Sequence, residues 1–288
     1  MISPFIIRSR LFVPGSRPEL FAKAMASECD AVCFDLEDAV HPEKKVEARA
    51  AVAAFLRAGD FQAKVTVVRV NGRCTDYFAA DLEALADSAV DVINVPKVES
   101  GEDIMAAAKC LPAKAALLAT IETPKGLRLA HEIAAAHPKV LGLQIGYADL
   151  FGMAGVDRRD AVAVAGVQIR VRFAAAEAGV DAYDGAFLQL NDLDGLRTEA
   201  EAARRHGLAG KSCIHPKQVA IMNEVFSPRA EEVDWARRVL DTADVEGNKG
   251  VFVEHGEMVD QPVIARARAV IALAGRVGNV ARGIAHDE

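Results

Sequence analysis

The chain has 288 residues, 51% hydrophobic and 26% charged, which excludes a disordered or fibrous protein and allows one large core or two ordinary ones. A net charge of −7 argues against a general binder of nucleic acid or of a membrane surface, while still permitting a local basic pocket for an anionic substrate. Five scattered cysteines without a CxxC pair, no signal-peptide order at the N-terminus and no long apolar span point to a cytoplasmic protein.

Taken in order, a strand is expected over 10–13, a helix over 18–26, a strand over 31–36 and a helix over 42–57. The alternation continues with a strand over 64–70, a helix over 77–86, a strand over 90–95 and a helix over 102–109. A strand over 115–121 leads to a helix over 124–136, where Thr123 stands at an N-cap position and Pro124 at the first helical position. Strands over 140–145, 179–183 and 211–214 follow, with helices over 161–178 and 194–206 between them.

Short apolar strands alternating with helices imply a parallel sheet covered by helices. Eight such units in residues 1–225 fit a closed (β/α)₈ barrel, or TIM barrel, of the α/β class. No GxGxxG or P-loop pattern opens the first unit, which weakens an open nucleotide-binding sheet. Residues 226–288 read as a C-terminal helical and hairpin extension, a lid or arm. After strand 8, helices over 216–225 and 230–243 precede a Gly247-Asn-Lys-Gly250 turn, a strand over 250–253, a turn over 255–257 and a helix over 262–274, and the tail from Arg276 is expected to fray.

In such a barrel the chemistry collects where strands end. Strand 1 ends in Pro14-Gly15-Ser16-Arg17, strand 2 in Asp35-Leu36-Glu37-Asp38, strand 3 in Arg69-Val70-Asn71 and strand 4 in Pro96-Lys97. Strand 5 ends at Glu122, strand 6 runs into Tyr147-Ala148-Asp149, and strand 8 ends at His215-Pro216. Glu122 and Asp149 form the natural metal pair: two carboxylates in an open site suit a hard cation such as Mg²⁺, although Glu122 would also be stabilised as a charge at a helix N-terminus. Arg69 would either grip a substrate carboxylate with its fork or pair with Glu37 or Asp38, and both can hold at once. Glu37 and Asp38 would then orient Arg69 and a metal-bound water. Asp35 reads as a wall or pairing residue outside the site. Lys97 and Lys211 raise Schiff-base chemistry, which a neighbouring carboxylate cluster disfavours by keeping the ammonium protonated.

The segments RSRLFVPGSRPE (8–19), DLEDAV (35–40), RVNG (69–72), PKVES (96–100), IETPKG (121–126), GYADL (146–150) and GKSCIHPKQV (210–219) resemble the citrate lyase β-subunit-like enzymes. These belong to the HpcH/HpaI aldolase superfamily and include malyl-CoA and citramalyl-CoA lyases. The resemblance covers nearly the whole chain. It implies a (β/α)₈ barrel, Mg²⁺ on Glu122 and Asp149, Arg69 on the substrate carboxylate or oxo-acid oxygens, and Glu37 and Asp38 beside the metal-bound water.

It further implies that GEMVDQPV (256–263) carries an acid/base aspartate, Asp260, on an arm over a neighbouring subunit, so that a homotrimer or hexamer is expected. From the residues alone, Asp260 is instead an N-cap for the last helix, with Pro262 just inside it. The partner is an acyl-CoA substrate, whose phosphates Arg8, Arg10 and Arg17 would meet alongside Pro14 and Gly15 of the first strand's turn, unless those arginines are solvent-exposed charge or subunit contacts. The function implied is cleavage or formation of a 3-hydroxyacyl-CoA. The alternatives are a malyl-CoA thioesterase, a citrate lyase β-subunit working on a carrier-bound acyl group, a CoA-independent class II aldolase, and a silent ligand-binding subunit.

Overall fold

A computed structural model describes residues 5–59, 61, 64–246 and 251–281. Eight parallel strands form one sheet: β1 (Ser9–Pro14), β2 (Ala31–Asp35), β3 (Val65–Arg69), β4 (Val92–Val95), β5 (Ala116–Ile121), β6 (Val140–Ile145), β7 (Asp181–Asp184) and β8 (Gly210–Cys213). Each pairs with the next, and β8 returns to pair with β1, so the barrel closes and no edge is left exposed. The helices are α1 (Phe21–Met25), α2 (Lys45–Ala58), α3 (Phe78–Leu85), α4 (Gly101–Ala108), α5 (Pro124–Arg128), α6 (Ala130–Ala135), α7 (Tyr147–Ala154), α8 (Ala161–Glu177), α9 (Leu193–Arg205) and α10 (Val219–Val225). All eight expected strands form. The helix expected over 124–136 breaks at Leu129 into α5 and α6, and α7 lies where only a loop was expected.

Alternation along each strand sorts the apolar residues into two packed regions. One set, including Leu11, Val13, Val32, Phe34, Val68, Ile93 and Leu143, faces the surrounding helices. The other, including Ala31, Cys33, Val65, Val67, Val92, Leu118 and Tyr183, fills the barrel. Above that apolar fill lies a polar layer. Gln144 of β6 bonds Arg10 of β1, Asn94 of β4 and Ser212 of β8, strands that are not its neighbours in the sheet, which only inward-facing side chains can do, and Thr120 joins the layer through Asn94.

On the outer side, Lys211 of β8 is fully buried and reaches Asp184 of β7 at 2.6 Å and Glu199 of α9 at 2.7 Å. Asp184 also accepts from the Tyr147 hydroxyl at 2.6 Å and from Gln168 at 3.2 Å, tying the start of α7 to the barrel wall. Removing one partner of a buried pair strands the other charge, at a cost of about 3–5 kcal/mol. Lys211→Met is therefore expected to lose stability on that scale in thermal or denaturant unfolding; a loss under about 1 kcal/mol would show that this pair does not hold the wall.

The chain divides into two compact units, Met1–Phe226 and Ser227–Glu288. The second holds α11 (Ala230–Glu246), the hairpin β9 (Phe252–Glu254) and β10 (Glu257–Val259), and α12 (Gln261–Ala281). Its own small core joins Ala236, Val239, Val259, Ile264 and Ala267. The hairpin turns on His255 (φ 46°) and Gly256 (φ 83°), successive left-handed residues of the kind that a two-residue hairpin connection requires. Its second strand was not expected. α12 continues through Ala281 where fraying was expected from Arg276, while the Gly247–Gly250 turn lies outside the described residues. No helix among the described residues is long and apolar enough to cross a membrane.

Candidate active site

A cavity of about 290 Å³ opens at the C-terminal ends of the barrel strands, lined by Phe12, Asp38, Arg69, Thr120, Glu122, Gln144, Asp149, Arg158 and Ser212 among others. Of the strand-end residues that the sequence pointed to, Asp38, Arg69, Glu122 and Asp149 line it, while Glu37 and Lys97 do not. Glu122 follows β5 and is buried, with only 3% of its surface exposed; its Oε1 accepts the Lys97 backbone N–H at 2.7 Å. A Cβ at position 146 would fall on Glu122 Oε2 and lie 2.6 Å from its Cβ, so glycine at that position lets β6 pass the carboxylate. Asp149, in the first turn of α7, is half-exposed.

Arg69 ends β3 directly opposite Asp35 in the β2–β3 register. That register makes Asp35 its main partner: Nε donates to Oδ1 at 2.7 Å and Nη2 to Oδ2 at 2.6 Å. The expected pairing with Glu37 or Asp38 is secondary, at 3.0 and 3.8 Å from Nη1. With the fork spent on Asp35, Arg69 cannot grip a substrate carboxylate bidentately through Nε and Nη2; it offers Nη1. Burial works against its charge, but the hydrogen bond and charge of Asp35, then Glu37, hold its pKa above the ordinary value. Asp35 accepts the Glu37 and Ala39 N–H groups too, so it shapes the loop that carries Glu37 and Asp38.

Lys97, at left-handed φ 51°, puts its ammonium into the acid cluster, 2.6 Å from Glu37, 3.4 Å from Asp38 and 3.9 Å from Asp149. Partial burial opposes its charge, yet its bond to Glu37 and the surrounding carboxylates raise its pKa, so it is a cation and not an amine nucleophile. Burial pushes the Glu37 carboxyl up against the lowering effect of Arg69. Its Oε2 faces Arg69 Nη1 off the hydrogen-bond direction, and so stays a buried acceptor without a donor. Glu122 goes further: burial first, then the charge of Glu37, push its carboxyl up to about 8. Among the described residues no group of three or more His, Cys, Asp or Glu could hold a metal, so Glu122 and Asp149 make at most a two-carboxylate, oxygen-only donor set.

The basic residues expected near the mouth divide. Arg8 precedes β1 and so lies at the opposite, N-terminal end of the barrel, where Asp30 takes its guanidinium at 2.7 and 2.8 Å. Arg10 lies inside the barrel with 1% of its surface exposed. Neither stands at the mouth to meet CoA phosphates. Arg17, in the loop after β1, is exposed beside Glu19. The Gly15 N–H donates to Asp35 O at 2.8 Å, and a Cβ there would stand 2.9 Å from that oxygen, so Gly15 packs one mouth loop onto the next. Pro14, Gly15 and Arg17 do not line the cavity.

The sequence reading missed Thr120, Gln144, Ser212, Tyr147 and Arg158. Thr120 was within reach, two residues before Glu122 and thus on the same strand face, and Gln144 is a lone polar residue in an apolar strand. Arg158 stacks on Tyr147 with its guanidinium 3.9 Å from the ring centre and bonds Glu199 at 2.8 Å. His215 caps the turn after β8 by accepting the Lys217 N–H. In the second unit, Asp260 Oδ1 accepts the Val263 N–H at 3.2 Å and its carbonyl the Ile264 N–H at 3.0 Å, which is N-cap geometry for α12.

A family profile described as HpcH/HpaI aldolase/citrate lyase matches residues 8–216. The chain is 39% identical over 272 residues to a (3S)-malyl-CoA thioesterase of Cereibacter sphaeroides, covering 93% of this chain and 94% of that protein. It is 33% identical over 280 residues to the citrate lyase subunit beta of Escherichia coli, with 93% of each chain covered. The crystal structure of the protein CitE from Mycobacterium tuberculosis, in complex with magnesium, acetoacetate and coenzyme A, superposes with a TM-score of 0.78 at 35% identity, covering 93% of this chain and 97% of that one.

Proposed function

The chain belongs to the HpcH/HpaI aldolase/citrate lyase family, and we propose that it is a Mg²⁺-dependent carbon–carbon lyase acting on a 3-hydroxyacyl-CoA such as malyl-CoA or citramalyl-CoA. The products are acetyl-CoA and a 2-oxo acid. One observation carries this reading: Glu122 and Asp149 line one cavity with Arg69, and Glu122 is buried with its carboxyl pushed up to about 8, a position that a bound cation would relieve. An oxygen-only set of two carboxylates, leaving room for water and substrate oxygens, fits Mg²⁺. When bound, the ion supplies positive charge that stabilises negative oxygen on the oxo-acid half of the substrate.

The protein's own groups do the rest. Arg69 offers Nη1 to the substrate's carboxylate or oxo oxygen, and Asp35 fixes its orientation. Glu37 and Asp38 orient Arg69 Nη1 and the Lys97 ammonium at the cavity wall. Asp260 gives a proton to the methylene carbon leaving as acetyl-CoA, and takes one from the methyl group in condensation. It does so from an arm that serves a neighbouring subunit of a trimer or hexamer. Arg17 and the Pro14-Gly15 turn border the path of the CoA phosphates. The cytoplasm suits such an enzyme, whose five cysteines are all free thiols.

The relatives named malyl-CoA thioesterase favour a second reading, in which the same site directs water at the thioester carbon. Assaying malyl-CoA and citramalyl-CoA with Mg²⁺ and then with EDTA separates the two. Metal-dependent acetyl-CoA with glyoxylate or pyruvate is the expected result; free CoA without an oxo acid would establish the thioesterase, and no reaction would sink both.

A further inference from the structure

Arg10 is the least expected residue of the barrel interior. Its guanidinium is buried, and the groups acting on it most strongly are Cys33, Tyr183, Arg69 and Cys213, with no carboxylate among them. Nε and Nη1 have no hydrogen-bond partner, and the rings of Phe12 and Tyr183 lie 5.6 and 5.9 Å from its centre. A buried cation with neither counter-ion nor full hydrogen bonding is costly, and apolar residues would fill that space at less cost.

What Arg10 does hold is the cavity floor. Nη2 donates to Gln144 Oε1 and, at 3.0 Å, to Ser212 Oγ, and both of those side chains line the cavity. That fixes the Gln144 amide, because the flipped amide would set its NH₂ against the Arg10 donor. The Gln144 Nε2 therefore donates to Ser212 Oγ, at 3.1 Å. Both lone pairs of Ser212 are then taken, by Arg10 and by Gln144, and its hydroxyl hydrogen has no acceptor among the described residues. Asn94 and Thr120 continue the chain: Asn94 donates to Gln144 at 3.2 Å and Thr120 to Asn94 at 2.7 Å.

We infer that Arg10 is a positioning and specificity-determining residue that turns the cavity floor into a hydrogen-bond donor surface, with Ser212 O–H at its centre, for an anionic oxygen of the substrate. Its uncompensated charge lies behind that surface and strengthens it in a low-dielectric interior. The inference rests on the lyase reading only for the identity of the anion, the carboxylate of the 2-oxo acid.

The test is calorimetric binding of pyruvate and glyoxylate to the full-length protein in Mg²⁺, with thermal unfolding beside it. Arg10→Met is expected to weaken both oxo acids about tenfold or more while the unfolding temperature stays level or rises. A role in folding alone would do the opposite, lowering stability and sparing affinity. Unchanged affinity in Arg10→Met overturns the inference and leaves the lyase reading standing; a wild-type protein that binds neither acid overturns both. Should Arg10→Met not fold, Ser212→Ala decides, since it removes the free hydroxyl alone. Weakened binding at unchanged stability supports the inference, and binding equal to wild type overturns it.

Discussion

Asp260→Asn is expected to lower turnover on malyl-CoA or citramalyl-CoA by about 10²–10⁴-fold while Mg²⁺ and oxo-acid binding stay as they are. The choice of asparagine follows from the geometry. Asp260 caps α12 through an Oδ1 that accepts the Val263 N–H, and asparagine caps a helix about as well as aspartate. The substitution therefore keeps the structural job and removes only the exchangeable proton. Asp260→Ala removes both, and adds a stability loss of about 1 kcal/mol to the loss of turnover. Unchanged rates in Asp260→Asn would leave Asp260 as a cap and nothing more. The arm's proposed service to a neighbour can be read from the same variants. Mixed oligomers of Asp260→Asn and Glu122→Gln chains regain part of the activity if one subunit's aspartate works at another's barrel mouth, and stay inactive if each subunit uses its own.

The barrel was legible because each strand is a short run of β-branched or apolar residues ended by a polar one, and eight such runs leave few other closures. Strand-end position also brought Glu122, Asp149, Arg69 and Asp38 to one cavity. What escaped depended on registers and directions that composition does not carry. Arg8 and Arg10 both lie around the first strand, but Arg8 precedes it and Arg10 points inward. Choosing them as positive charges around that strand therefore put both at the mouth wrongly. Asp35 was set aside as a pairing residue, and its partner proved to be Arg69 because the two occupy matching positions on β2 and β3.

The helix carrying Asp149 was missed because it starts directly after Gly146 with no side-chain cap, although Gly155 at φ 66° closes it with the usual C-terminal signal. Lys97 was weighed for Schiff-base chemistry and set aside because neighbouring carboxylates would keep its ammonium protonated, but the sequence does not say which ones. Its part as the cation among Glu37, Asp38 and Asp149 depends on three loops meeting, which one chain segment read alone does not reveal.

Glu122→Gln is expected to cut turnover by about 10²–10³-fold or more and, in EDTA, to make the protein more stable than wild type above neutral pH. In the metal-free protein the Glu122 carboxyl is raised from 4.5 to about 8, by burial first and then by Glu37, with Asp149 adding to it and Arg69 and the Lys97 N–H opposing. Between those two values the folded chain keeps a proton that the unfolded chain has released. Stability therefore falls as pH rises through this window, and the loss is complete above about 8. Glutamine has no proton to lose, and its oxygen can still accept the Lys97 N–H. The variant's advantage should then be absent below the window, grow across it and level off above it.

Mg²⁺ reverses the comparison, because binding to the folded state alone stabilises only a chain that can bind it. Wild-type affinity for the ion should rise about tenfold per pH unit up to about 8, as the proton competing for Glu122 is lost. Unfolding curves with and without Mg²⁺ at several pH values read both effects at once. An equal Mg²⁺ shift in the two proteins would take Glu122 out of the metal site, and with it the observation on which the lyase reading rests.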